Sequence, residues 1–280
     1  MHLPLENRNP PVPSDAVAND VSPGAMGLFD VARAFVIVAV ITGGLALDQH
    51  VAFWGQALTN VAVWTLFLWW LRKADLRQQL CLTACVVYAT LGEIFLSLVW
   101  GVYDYRLANI PLFVPPGHAL LFTLGLLLAQ RLKDWIVWAV PLAALPFVLI
   151  LLVTGTGTLD ALLFALFLAC ILFGRARRLY AVMFVLALAM EIYGTRLGNW
   201  TWAADVPWLG LTSINPPLAA GAFYCVLDLL VVTTVSRMYA PPARSEALVA
   251  PPAVLGSCAL LQSAPLGAAR NNASDTRGLL

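Results

Sequence analysis

A chain of 280 residues that is 61% hydrophobic and 11% charged, with a mean hydropathy of +0.82, cannot cover a water-exposed surface, because an ordinary soluble domain carries about 25% charged residues. Its solvent must be largely lipid. The net charge of +1 argues against a nucleic-acid partner, which would need a basic face.

Residues 1–27 contain five prolines and no basic stretch followed by an apolar core. They read as a disordered leader rather than a signal peptide. Eight apolar segments follow, at about 29–47, 52–71, 79–99, 115–131, 135–153, 159–174, 179–197 and 215–236, each of roughly membrane-spanning length. The connections alternate in charge. Arg72, Lys73 and Arg77 follow the second segment, Arg131 and Lys133 the fourth, Arg175, Arg177 and Arg178 the sixth, and Arg237 the eighth. The intervening connections are poor in positive charge, so the positive-inside rule predicts both termini in the cytoplasm. The expected fold is an all-α polytopic bundle in the inner membrane of a bacterium. The tail from 239 to 280 is broken by Pro241-Pro242 and Pro251-Pro252 and reads as disordered.

Within this pattern one stretch recurs. From Glu191 to Tyr224 the chain reads EIYGTRLGNWTWAADVPWLGLTSINPPLAAGAFY; from Glu93 to Phe122 it reads EIFLSLVWGVYDYRLANIPLFVPPGHALLF. Each copy has a glutamate, then a hydroxyl four residues on (Ser97, Thr195), which shares its helix face. Each then has a glycine (Gly101, Gly198), an aromatic-x-aromatic pair (Tyr103 and Tyr105; Trp200 and Trp202) and a Pro-Pro. The recurrence divides the chain into two four-helix repeats, 28–133 and 134–238. An even number of helices gives both repeats one orientation, a parallel repeat about the membrane normal.

An ionisable group inside a membrane helix suggests function. Glu93 and Glu191 are the first candidates, with Asp228, three turns along the last helix from Asn215, the next. Burial opposes the charged form of each glutamate, whereas a helix opened by Pro-Pro, with Asn215 as its N-cap, favours a carboxylate or an anionic ligand nearby. Proton donor and carboxylate acceptor therefore both stay open. His118, just after Pro115-Pro116-Gly117, is either a proton shuttle or a local cap. In the motif loops Arg106 and Arg196 face Asp104 and Asp205 as possible pairs. Tryptophans near the segment ends form the expected interfacial belt.

Cofactor signatures are missing: there is no GxGxxG, GxxxxGK[ST], HExxH or Asp-rich diphosphate motif. The five cysteines form no CxxC pair and have no histidine at ligand spacing, so no metal is expected.

The residues Glu191, Gly194, Gly198, Trp200 and Trp202, together with Asn109-Ile110-Pro111-Leu112-Phe113-Val114-Pro115, resemble a pattern in integral-membrane carotenoid-biosynthesis proteins of the carotenoid hydratase and heterodimeric lycopene cyclase type. About sixty residues carry the resemblance. The first copy departs from it, with Leu96 where the pattern has glycine. The resemblance implies cofactor-independent acid catalysis on a polyene: a carboxylic acid protonates a double bond, and water or ring closure quenches the cation. Trp200, Trp202, Tyr103, Tyr105, Asn215 and His118 would line the site of such an apolar, lipid-soluble substrate. A proton- or cation-coupled transporter and a non-catalytic assembly partner are the alternatives.

Overall fold

In the computed structural model, residues 27–238 are described, and they form eight helices joined by short connections. The leader and tail expected at the two ends lie outside the described residues, apart from Gly27. The helices are α1 (Leu28–His50), α2 (Gly55–Lys73), α3 (Leu76–Glu93), α4 (Val114–Ala129), α5 (Ile136–Thr154), α6 (Thr158–Phe173), α7 (Arg177–Leu197) and α8 (Gly221–Met238). Each falls within a few residues of its expected segment, except that the last starts at Gly221 rather than 215. All-α is therefore the class, with two short β-ladders added. Strands β1 (Tyr103–Tyr105) and β2 (Trp200–Trp202) pair antiparallel, as do β3 (Asp205–Val206) and β4 (Leu211–Thr212).

Five helical stretches are long and apolar enough to cross a membrane: Leu28–His50, Leu76–Trp100, Ile136–Thr154, Arg177–Leu197 and Gly221–Met238. The outward faces agree in character, since Phe29, Val61, Leu98, Leu142, Val153 and Phe173 all stand exposed. A water-soluble monomer rarely exposes so much contiguous apolar surface.

At the centre α3 and α7 each pack against α4 and α8. Helix α4 is buried along almost its whole length, from Pro115 to Ala129, as its uninterrupted apolar sequence requires. The α1–α2 and α5–α6 pairs flank this core. Asp75 starts α3 by accepting the Gln78 N–H, an ordinary N-cap. Pro141 and Pro146 lie inside α5, which stays helical through both.

The two recurring stretches end their helices alike but not identically. Gly198 closes α7 at φ +85°, and Gly101 closes the α3 stretch at φ +73°; both need the left-handed conformation that glycine adopts freely. The first stretch has one residue more between its glutamate and that glycine. Ile94–Trp100 takes up the extra residue by winding as a π-helix, the usual way to absorb an insertion without breaking a helix.

Candidate functional site

Because β1 follows Gly101 and β2 follows Gly198, the two aromatic pairs return over the helix ends that carry the glutamates. Glu93 Oε2 accepts the hydroxyls of Tyr103 and Tyr105, both at 2.7 Å. Glu191 Oε2 accepts the indole N–H groups of Trp200 at 2.8 Å and Trp202 at 3.0 Å. In the β1–β2 ladder Tyr103 stands opposite Trp202 and Tyr105 opposite Trp200. Cross-strand rings are therefore neighbours, with the Tyr103 and Trp202 centroids 4.9 Å apart. Gly194 makes room for Trp200, since a Cβ there would overlap the indole ring.

Each remaining carboxylate oxygen meets a group from the following helix. Glu191 Oε1 accepts the Tyr224 hydroxyl at 3.1 Å. Glu93 Oε1 lies 3.0 Å from His118 Nε2. The two partners stack, ring centroids 4.8 Å apart and tilted by 25°, so the glutamate clusters join through His118 and Tyr224. Burial, and then the Glu93 charge, push the Tyr103 and Tyr105 hydroxyls well above the ordinary tyrosine range. They stay neutral donors.

Indole nitrogen donates and never accepts. Glu191 is thus held by two donors that cannot exchange a proton and by one phenol. The Glu93 cluster has two phenols and an imidazole instead. With Nε2–H given to Glu93, His118 Nδ1 is left buried and without a partner among the described residues.

These groups line one end of an apolar cavity of about 370 Å³. Val63, Leu96, Phe113, Phe223 and Leu227 are among its other walls. Phe95, Leu166 and Leu230 also line it, and each is more than a third exposed. The cavity therefore reaches the outer flank of the bundle. Cavities of this size and lining suit small apolar ligands oriented by a few polar groups.

Seven of the nine residues expected at the site meet in this cavity: Glu93, Glu191, Tyr103, Tyr105, Trp200, Trp202 and His118. Asn215 does not. Its Oδ1 accepts the Trp202 backbone N–H, and it does not cap α8 as expected, because the chain is non-helical through Asn215-Pro216 and turns until Gly221. Asp228 lies elsewhere too, one turn beyond Tyr224 on α8, fully buried and with both carboxylate oxygens unpartnered among the described residues. Tyr224 itself was not singled out in the sequence, although its i,i+4 relation to Asp228 was a usable signal. Arg106 pairs not with Asp104 but with Asp48 at 3.2 Å, and it also donates to the Asp48 carbonyl. Asn199 Nδ2 donates to the other Asp48 oxygen at 2.9 Å. No cluster of three or more His, Cys, Asp or Glu able to hold a metal occurs among the described residues.

Comparison with known proteins yields no match: no family model fits the chain, and no curated protein or solved structure is significantly similar to it.

Proposed function

We propose that this is an integral membrane enzyme that performs cofactor-independent acid–base chemistry on an apolar, lipid-soluble small molecule. The observations that carry the reading are the apolar, partly open cavity that Glu93 and His118 line and the buried His118 Nδ1 left without a partner among the described residues. In this reading all eight helices cross the bilayer, as two four-helix repeats, with both termini in the cytoplasm. The substrate enters sideways from lipid. Glu93, steadied by Tyr103 and Tyr105, orients the imidazole and balances its charge, as a carboxylate does for a catalytic histidine.

The class of substrate to which the resemblance points is a polyene. Protonated His118 gives its Nδ1 proton to a terminal double bond. The aromatic walls stabilise the resulting cation. Water then adds and returns a proton to Nδ1, giving an alcohol; alternatively, loss of a different proton gives an isomer or a ring. Either route balances without a redox partner.

The test is a comparison of lipid extracts from cells that make a linear carotenoid and express wild type, His118→Ala, Glu93→Gln or no protein. Chromatography with mass spectrometry should find a polyene of water-added or isomeric mass in wild type. His118→Ala should lower it by about 10²–10⁴-fold, the usual weight of a general acid or base. Identical extracts with all proteins present in the membrane would end the reading.

A second reading, a proton- or cation-coupled transporter, is favoured by Asp228 alone. A wholly buried carboxylate with no partner is costly, and it sits one helical turn beyond the Tyr224 of the site. Proton flux into liposomes holding the protein, present in wild type and lost in Asp228→Asn, would support that reading; no flux in wild type would remove it.

A further inference from the structure

At the opposite end of the bundle, α4 ends, α7 begins and α8 ends around a second cavity, of about 560 Å³. Arg77, Arg175, Arg177 and Arg178 line it, with the side chains of Gln130 and Ser236. Among the described residues that line it, Asp134 supplies the one carboxylate. Asp134 is already engaged, its Oδ1 accepting from Arg178 Nε at 3.1 Å. Arg177 donates to the Leu172 carbonyl. Arg175 makes no hydrogen bond or ion pair among the described residues.

Two further features point the same way. The first N–H groups of α7 have no acceptor within the helix, Ala176 provides no side-chain cap, and the first turn holds no acidic residue. Gln130 Nε2 is buried without a partner, a donor whose neglect costs about 1–3 kcal/mol unless something accepts from it. Below these donors the wall turns apolar, through the buried Leu126, Leu179 and Val232.

We propose that this cavity binds a phosphate-type anion. Guanidinium forks match paired phosphate oxygens, a helix N-terminus favours a negative group, and the Gln130 amide gains its missing acceptor. Two sources carry that chemistry. One is the headgroup of an anionic phospholipid, with its chains along the apolar wall; the other is a soluble phosphate. The site is separate from the glutamate clusters, because the twelve-residue step along α7 from Leu179 to Glu191 spans about 18 Å.

The full chain in phosphatidylcholine nanodiscs would be titrated with fluorescent phosphatidylglycerol and, separately in detergent, with inorganic phosphate. The proposal expects saturable binding of at least one probe. Arg175→Gln with Arg177→Gln should weaken it at least about tenfold, roughly one charge-assisted hydrogen bond. Both residues are exposed, so folding should survive; should it not, Gln130→Met, which keeps the length and drops the donor, is expected to weaken the same binding. Arg72→Gln with Lys73→Gln removes two exposed charges from the same end but outside the cavity and should change little. Phosphatidylglycerol binding alone assigns a lipid headgroup, and saturation by inorganic phosphate assigns a soluble anion. No saturable binding of either probe, or equal weakening by the Arg72 and Lys73 control, overturns the proposal.

Discussion

The two glutamate clusters have the same plan and different chemistry. In each, a carboxylate at a helix end receives two aromatic donors from its own strand and one group from the next helix. Around Glu191 two of the three donors are indoles, which neither accept nor release a proton near neutral pH. Around Glu93 the donors are two phenols and an imidazole, and the imidazole of His118 keeps its second nitrogen without a partner among the described residues. In the proposed reading this duplicated geometry divides the labour: one cluster anchors and the other reacts. The difference lies in partner type, not in the carboxylates.

This comparison can be broken most directly by exchanging roles. His118→Ala should abolish most product and, by leaving Glu93 Oε1 without its partner, cost about 1–3 kcal/mol of stability, whereas Tyr224→Phe, its stacked counterpart, should keep most activity and cost about 1 kcal/mol. Equal activity losses would show that both clusters react.

Next in size is Glu191→Ala, which strands two buried indole N–H groups and a phenol at about 1–3 kcal/mol apiece. Thermal unfolding in detergent should show a drop of several degrees or failure to accumulate folded protein. An unchanged midpoint would deny Glu191 its anchoring role.

Gly194→Ala forces a Cβ into the Trp200 ring, an overpacking that costs about 1–3 kcal/mol. Loss of the Trp200 environment should be visible in tryptophan fluorescence, and an unaltered spectrum would contradict the close approach.

The smallest effect is expected from deleting Leu98, an exposed residue of the π-helical segment. Removing a residue from an α-helix turns everything after it by about 100°. Here the deletion should relax the π-winding to α and give the first stretch the spacing of the second. Near-normal folding and activity are expected; collapse of either would mean that the extra residue is not an insertion absorbed by the π-turn.

Much of the scaffold was legible in the chain, because long apolar runs separated by arginine-rich connections leave few options. The eight helices follow them to within a few residues, save where Asn215-Pro216 was read as a helix start. Pro-Pro is compatible with a first helical turn and equally with an extended loop, and local sequence does not choose between them. The glutamate-to-aromatic contacts were half visible: the spacings recur, but the fold-back that brings Tyr103 and Trp200 onto their glutamates depends on the β1–β2 pairing between loops about a hundred residues apart. His118 reaches Glu93 across 25 residues, and Arg106 reaches Asp48 across 58. No periodicity carries such distances, so His118 was open between a cap and a shuttle.

The β1–β2 ladder also constrains traffic. It joins the loop after α3 to the loop after α7, and Trp100, donating to the Pro207 carbonyl and stacking on Trp208, fastens the same two loops again. Arg106 and Asn199 tie both to the end of α1 through Asp48. Opening the molecule at this end would mean unpicking all of these bonds at once, so the end behaves as a sewn seam and not as a gate. In the proposed reading a guest of the cavity would then arrive and depart from the flank of the bundle, and a product made more polar than its precursor would face the slower exit.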